Sequence, residues 1–299
     1  MDDSSLHFLE PEGELCSYEK ASVVILPVPF ERTTSYGQGT AEGPAALLRA
    51  SWHVETYDQE LDMDPSEQGI ATLPLFQPTA DDLGTALEQL TEAAEPHLRM
   101  GKFLVTLGGE HSLSTATIRA ASRSHPDLGV VQFDAHADLR DSYEGTPHSH
   151  ACIMRRVVDD LGLQTLAVGI RSLSTPEARW IAERDLPVIW GRQLDEADAR
   201  FERLLEALPE TIYLTFDIDY FDPSLVPCTG TPEPGGGFWT PTLRLLRHLF
   251  EHKRVVAMDV VELSPRAEQP ASDFVAAKLV YKCLGYRNLR SHVAQTHES

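Results

Sequence analysis

Short apolar runs alternate with segments whose apolar positions recur at helical spacing, most regularly from residue 102 onward. The apolar runs predict strands at 22–27, 102–107, 129–134, 164–169, 186–190, 211–217 and 254–261. The helical spacing predicts helices over 44–51, 79–100, 112–124, 150–161, 175–184, 197–207, 241–252 and 273–284, with Pro44 suited to a first turn. Strands that read as continuous apolar runs, separated by helices, imply an α/β fold with a mainly parallel sheet covered on both faces. No internal repeat or low-complexity linker interrupts the pattern. The Pro/Gly-rich stretch 223–237 comes directly after a strand and reads as a site loop rather than a boundary. Residues 1–299 are therefore expected to form a single domain.

Three of the apolar runs end in chemistry. The run at 103–107 leads to Gly-Gly-Glu-His, ending at His111. The run at 130–133 leads to Asp134, His136 and Asp138, and the run at 212–216 to Asp217 and Asp219. A lone Asp after a strand is commonly a cap or turn former, and a lone His a surface hydrogen-bonding residue. Four Asp and two His at the ends of three strands are hard to explain that way, because ligand sites of α/β sheets lie at these ends. The set is large enough to hold two divalent ions side by side. Alternate residues of an extended strand advance about 6.6 Å, so Asp134 and Asp138 would stand roughly 13 Å apart, too far to serve an ion pair about 3.5–4 Å wide. The chain must therefore curl after Asp134, whereas Asp217 and Asp219 are expected to converge from one strand face without a bend. Four unpaired carboxylates would repel one another, and two divalent ions remove that conflict. Oxygen-rich ligation with two imidazoles favours Mn²⁺, Mg²⁺ or Co²⁺ over a structural zinc site.

Composition narrows the function classes. A formal charge of −21 over 299 residues leaves no basic stripe for nucleic acid and suits a cationic small molecule. No apolar run approaches the roughly 20 residues needed to span a bilayer. The acidic, polar start of the chain argues against a cleaved secretory signal. Cys16, Cys152, Cys228 and Cys283 show no CxxC spacing, which points to reduced thiols in a cytoplasm.

The three segments, GGEHS at 108–112, DAHAD at 134–138 and DIDYFDP at 217–223, resemble the signatures of the ureohydrolases, the arginase–agmatinase family of binuclear manganese enzymes. TGTPEPGG at 229–236 and VVELSP at 260–265 resemble two further family segments in the expected order. The resemblance implies a three-layer α/β/α sandwich, commonly assembled as a trimer or hexamer. It implies two Mn²⁺ per subunit, one held by His111, Asp134, Asp138 and Asp217, the other by His136, Asp134, Asp217 and Asp219. It also implies hydrolysis of a guanidinium group through a metal-bridging hydroxide, with Asp138 relaying a proton and His150 shuttling protons near the rim. Glu262 would hold the guanidinium, and Thr231 would lie near the same end of the substrate. His148 competes with His150 for the shuttle role, and Glu262 could instead pair with Arg266.

Arginases resemble one another in a polar loop with Asn and Ser after the second motif. Here that stretch, 139–148, offers Asp141 and Glu144, which suit a distal ammonium and favour agmatine. N1-aminopropylagmatine is the closest alternative. Guanidinobutyrate or arginine would need a cationic anchor, for which Arg140 is the only nearby basic side chain, and a formimino substrate ranks lower still. From other classes, a two-metal phosphoesterase would need more basic side chains, and a non-catalytic guanidine-binding protein would not need the full set of site residues.

Overall fold

The computed structural model describes residues 6–9 and 13–289. Met1 to Ser5, whose polar character argued against a leader, lie outside the described residues. Among the described residues, eight strands form one sheet: β1 (Val23–Val28), β2 (Ile70–Thr72), β3 (Phe103–Gly108), β4 (Leu128–Phe133), β5 (Gln164–Ile170), β6 (Val188–Trp190), β7 (Thr211–Asp217) and β8 (Arg254–Val261). Their order across the sheet is β2-β1-β3-β8-β7-β4-β5-β6, and every pairing is parallel. Strand β2 carries no sequence signal above its surroundings, since three residues are too few to show a period.

Eight α-helices among the described residues cover the sheet: α1 (Gly43–Ser51), α2 (Leu83–Arg99), α3 (Ser114–Ser124), α4 (Ile153–Asp159), α5 (Thr175–Arg184), α6 (Asp198–Glu206), α7 (Trp239–His252) and α8 (Ala271–Arg287). Alternation along the buried strands feeds two separate cores. Val105, Val131, Leu214 and Met258 pack with Leu48, Phe201, Leu249 and Leu279 of α1, α6, α7 and α8. Their sequence neighbours Leu104, Val130, Tyr213 and Ala257 pack with Leu90, Ile118, Val157 and Ile181 of α2 to α5. Adjacent side chains of a strand point to opposite faces, so a sheet buried on both sides needs unbroken apolar runs. The fold is the three-layer α/β/α sandwich around a parallel sheet that the resemblance implied.

The strand order creates the site. Strands β3 and β4 are consecutive in sequence but are separated in the sheet by β8 and β7, which arrive more than 75 residues later. The four central strands β3-β8-β7-β4 end level: Leu107 pairs with Val260, Val260 with Phe216, and Phe216 with Phe133. The segments that leave these four strands therefore open onto one crevice. Two of the expected helices begin as 3-10 turns, His111–Leu113 and His150–Cys152, which carry site histidines.

One close approach locks this edge. A Cβ on Gly109 would lie 2.0 Å from the carbonyl oxygen of Phe30, so only glycine lets the end of β3 pass the 30–43 loop. The clash is with backbone, and Gly109→Ala is expected to cost about 1–3 kcal/mol, as overpacking does. Chemical denaturation checks this, and an unchanged unfolding free energy would mean the two segments are not pinned together.

Candidate metal centre and substrate cleft

Asp134 is the first residue after β4, fully buried, and its carboxylate accepts hydrogen bonds from His136 N–H at 2.6 Å and Gln132 Nε2 at 2.8 Å. The chain then turns, as the spacing required. The Ala135 carbonyl accepts from the backbone of Arg171 and Ser172, and Ala135 N–H donates to Asp219 Oδ1 at 3.0 Å. Asp138 sits at φ 51°, in the left-handed region that an L-residue enters only when its surroundings hold it. Its carbonyl accepts from Met154 and Arg155 at the start of α4. Glu177 ties down the next residue, accepting from Leu139 N–H at 3.0 Å while it closes the capping box of α5 with Ser174.

The expectation for the third motif needs correction. Asp217 ends β7, but Asp219 lies in a 3-10 turn, Ile218–Tyr220, rather than on an extended strand. Asp217 caps that turn by accepting from Asp219 N–H at 2.8 Å, so the bend is made by a ligand candidate itself.

The motifs meet around His111. Its Nδ1 lies 3.1 Å from Asp134 Oδ2, 3.1 Å from Asp138 Oδ2 and 3.3 Å from Asp217 Oδ2. His136 Nδ1 lies 2.8 Å from Asp219 Oδ2 and 3.7 Å from Asp134 Oδ1. Two sets of donor atoms have the compactness of an ion site: His111 with Asp134 and Asp217, and His136 with Asp134 and Asp219. Asp134 belongs to both, while Asp217 falls in the first, with Asp138 beside it.

The chemistry of the donors fits divalent ions. His111 Nδ1 is buried and makes no hydrogen bond, although it faces three carboxylates. Its other nitrogen, Nε2, is 2.8 Å from Thr215 Oγ1, whose hydroxyl donates to the buried Asp259 at 2.7 Å. That chain assigns the ring proton to Nε2 and leaves the Nδ1 lone pair for a cation. Thr215 and Asp259 were not singled out from the sequence. Their signal was a polar residue inside an apolar strand run.

Without cations the cluster holds protons instead. Burial pulls His111 and His136 down, but the carboxylates outweigh it: His111 rises well above its usual pKa and His136 is pushed up to about 12. Burial first, then neighbouring negative charge, raises Asp138 to about 7 and lifts Asp217 well above the carboxylate range. The histidines hold Asp134 well below that range despite its burial.

Above the cluster lies a cleft of about 230 Å³ lined by residues that include Ser35, Tyr143, His150, Thr231 and Glu262. Glu262 comes directly after β8 at φ 65°, again left-handed, and its carboxylate accepts from His111 N–H at 2.6 Å while its own N–H donates to the Gly109 carbonyl. It is thus committed to the cleft and not to the exposed Arg266. Burial first, then the charge of Glu110, pushes Glu262 up to about 8. Thr231 Oγ1 approaches Asp219 Oδ2 at 3.4 Å, which brings the 223–237 loop onto the cluster. Of the two competing histidines, His150 lines the cleft and His148 packs against Gly84 of α2.

The rim differs from expectation. Asp141 pairs with Arg156 at 2.7 Å, Glu144 is exposed, and neither lines the cleft. The carboxylate on that wall is Glu177, legible in the sequence only as a helix cap. Cys152 and Cys228 are buried, and burial raises the Cys152 thiol to about 11, so it is not an activated nucleophile.

Loading such a cluster must displace protons, because the ligating forms are neutral imidazole and carboxylate. Mn²⁺ affinity is therefore expected to fall as pH drops, and calorimetry in buffers of different ionisation enthalpy should register proton release. Binding without release would contradict a protonated, ion-free cluster. Asp134→Ala should leave at most one tightly held Mn²⁺ per chain by elemental analysis, since both donor sets lose a member.

The pattern of the arginase family matches residues 21–285. The N(1)-aminopropylagmatine ureohydrolase of Synechocystis is 42% identical over 286 residues, covering 93% of each chain. The agmatinase of Pyrococcus horikoshii is 35% identical, covering 89% of this chain and 92% of its own. The crystal structure of agmatine ureohydrolase of Thermoplasma volcanium superposes with a TM-score of 0.84 at 29% identity, over 97% of this chain and 94% of that one. This chain belongs to the arginase family of ureohydrolases.

Proposed function

We propose that the chain hydrolyses the guanidinium group of N1-aminopropylagmatine to spermidine and urea, with agmatine, cleaved to putrescine and urea, as the second reading. This reverses the order drawn from the sequence. The observation that carries the change is the 42% identity to a relative named for the aminopropyl substrate, against 35% to one named agmatinase. Asp141 and Glu144, the carboxylates that would have favoured agmatine, do not line the cleft. A longer polyamine carries an additional amine, and a chain of net charge −21 draws such cations towards it.

Two Mn²⁺ ions, the metal we propose for this oxygen-rich donor set, would supply Lewis acidity that makes a water nucleophilic near neutral pH. His111, Asp134, Asp138 and Asp217 would hold one, and His136, Asp134, Asp217 and Asp219 the other. The remaining roles fall to side chains. Glu262 can accept two N–H bonds from a guanidinium and fix its central carbon above the cluster. Burial raises Glu262 to about 8, and a docked guanidinium favours its ionised form. As the new C–O bond forms and the C–N bond to the alkylamine breaks, a proton must reach the departing nitrogen. Asp138, 3.1 Å from His111, would relay it, and His150, whose pKa burial lowers, would exchange protons at the rim. Thr231 would steady the substrate at the same end through its contact with the Asp219 side. A phosphoester is disfavoured, because Arg140 is the one Lys or Arg side chain on the cleft wall among the described residues, stacked on Tyr143 at 4.8 Å.

The same reading includes a trimer or hexamer in the cytoplasm, supported by the family resemblance and by four cysteines that show no CxxC spacing. Among the described residues no helix is long and apolar enough to cross a membrane.

Urea release by Mn²⁺-loaded protein from N1-aminopropylagmatine, agmatine, arginine and guanidinobutyrate tests the proposal. The highest kcat/KM is expected for the aminopropyl compound, with loss on chelation. A preference for agmatine would restore the second reading, and urea from none would overturn both. Glu262→Gln should retain both ions and lower kcat/KM by at least tenfold, the effect of about 1.4 kcal/mol of lost transition-state stabilisation.

A further inference from the structure

The buried carboxylate of Glu110 has no part in the metal sets or in the chemistry proposed for the cleft. One of its oxygens accepts from Arg32 N–H at 2.6 Å and Thr33 N–H at 2.5 Å. The other accepts from the hydroxyls of Ser112 and Thr33, the latter at 2.8 Å. Four donors converge on a fully buried carboxylate, so Glu110 acts as an acceptor and the Thr33 hydroxyl proton is committed to it.

The oxygen of that hydroxyl then has only lone pairs to offer. It accepts from His150 N–H at 3.0 Å, and His150 Nδ1 lies 3.2 Å away. An oxygen whose proton points elsewhere can hydrogen-bond to Nδ1 only if Nδ1 carries the ring proton. Ser149 Oγ, at 3.4 Å from the same nitrogen, is the more distant neighbour. The opposite nitrogen, Nε2, lies 3.4 Å from Ser35 Oγ, and both residues line the cleft. The Tyr143 ring meets the imidazole in a T-shaped contact, with centroids 6.0 Å apart at 85°.

We propose that Thr33, anchored by Glu110, is a positioning residue that fixes His150 as the Nδ1–H tautomer and presents its Nε2 lone pair to the cleft. The role given to His150 rests on the proposed ureohydrolase function. The tautomer rests on the hydrogen bonds alone. The device extends to the rim histidine what Asp259 and Thr215 do for His111: a buried carboxylate orients a hydroxyl, and the hydroxyl orients a ring. It also gives the 30–43 loop a task, since Thr33 and Ser35 touch opposite nitrogens of one imidazole.

The tautomer can be read by ¹⁵N NMR of histidine-labelled protein in Mg²⁺ buffer, which avoids broadening by Mn²⁺, with His150 assigned from a His150→Asn sample. The proton is expected on Nδ1. A protonated Nε2 with a bare Nδ1 in the otherwise unaltered protein overturns the proposal, whatever the activity. Thr33→Val removes the hydroxyl at nearly constant shape, and Thr33→Ser keeps it. The valine variant should shift His150 towards the other tautomer and lower kcat for urea release by about 10–100-fold, as loss of an orienting partner does, with KM and Mn²⁺ content near wild type. The serine variant should restore both tautomer and kcat. A serine variant as impaired as valine, or a valine variant with unchanged kcat and tautomer, overturns it. If the unaltered protein releases no urea from any guanidine, the functional reading fails, and the NMR result still decides the tautomer.

Discussion

Like charge packed into a dry crevice is the constraint on which the rest of this structure depends. Asp134, Asp138, Asp217, Asp219 and Glu262 are all buried at one end of the sheet, with Glu110 behind them. Water would separate such charges, and a low-dielectric interior does not. The chain answers with directed hydrogen bonds to Asp134, Asp217, Asp219 and Glu262, and with two imidazoles set among the carboxylates in a geometry that suits cations.

Holding that arrangement requires backbone that an ordinary strand end does not provide. Asp138 and Glu262 both occupy left-handed φ, one beyond β4 and one beyond β8, and each is fastened by backbone bonds to another segment. Such conformations persist only where the surroundings over-determine them, and here the surroundings are the level ends of four parallel strands. The two apolar cores on either face of the sheet supply the rigidity. The consequence is a cluster set by the scaffold, with the mobile work of recognition left to side chains along the cleft.

A second layer of buried carboxylates gives the histidines direction. Asp259 acts through Thr215 on His111, and Glu110 through Thr33 on His150, while Glu177 fastens the loop between the ligands and α4. An imidazole has two nitrogens and one neutral proton, so its chemistry is undefined until a partner chooses between them. These partners are as buried as the ligands they serve.

The sequence by itself determined the fold class and most elements, because parallel strands buried on both faces must be unbroken apolar runs and helices must repeat at 3.6 residues. It also marked the residues of the metal centre, because carboxylates and histidines after apolar runs have few structural uses. It ranked agmatine first on a loop carrying Asp141 and Glu144, neither of which lines the cleft, since nothing in a loop sequence says which way its side chains face. The 3-10 turn at Asp219 was missed for a related reason: a strand face and a tight turn both bring i and i+2 carboxylates together. Only the tertiary structure decided that β7 and β8 insert between β3 and β4, which gathers four strand ends at one level. That order arises from pairings across more than eighty residues, β4 with β7 and β3 with β8, and no local pattern records it. The same holds for Thr33, Glu110, Thr215 and Asp259, which read as ordinary polar residues until the fold sets each against a histidine.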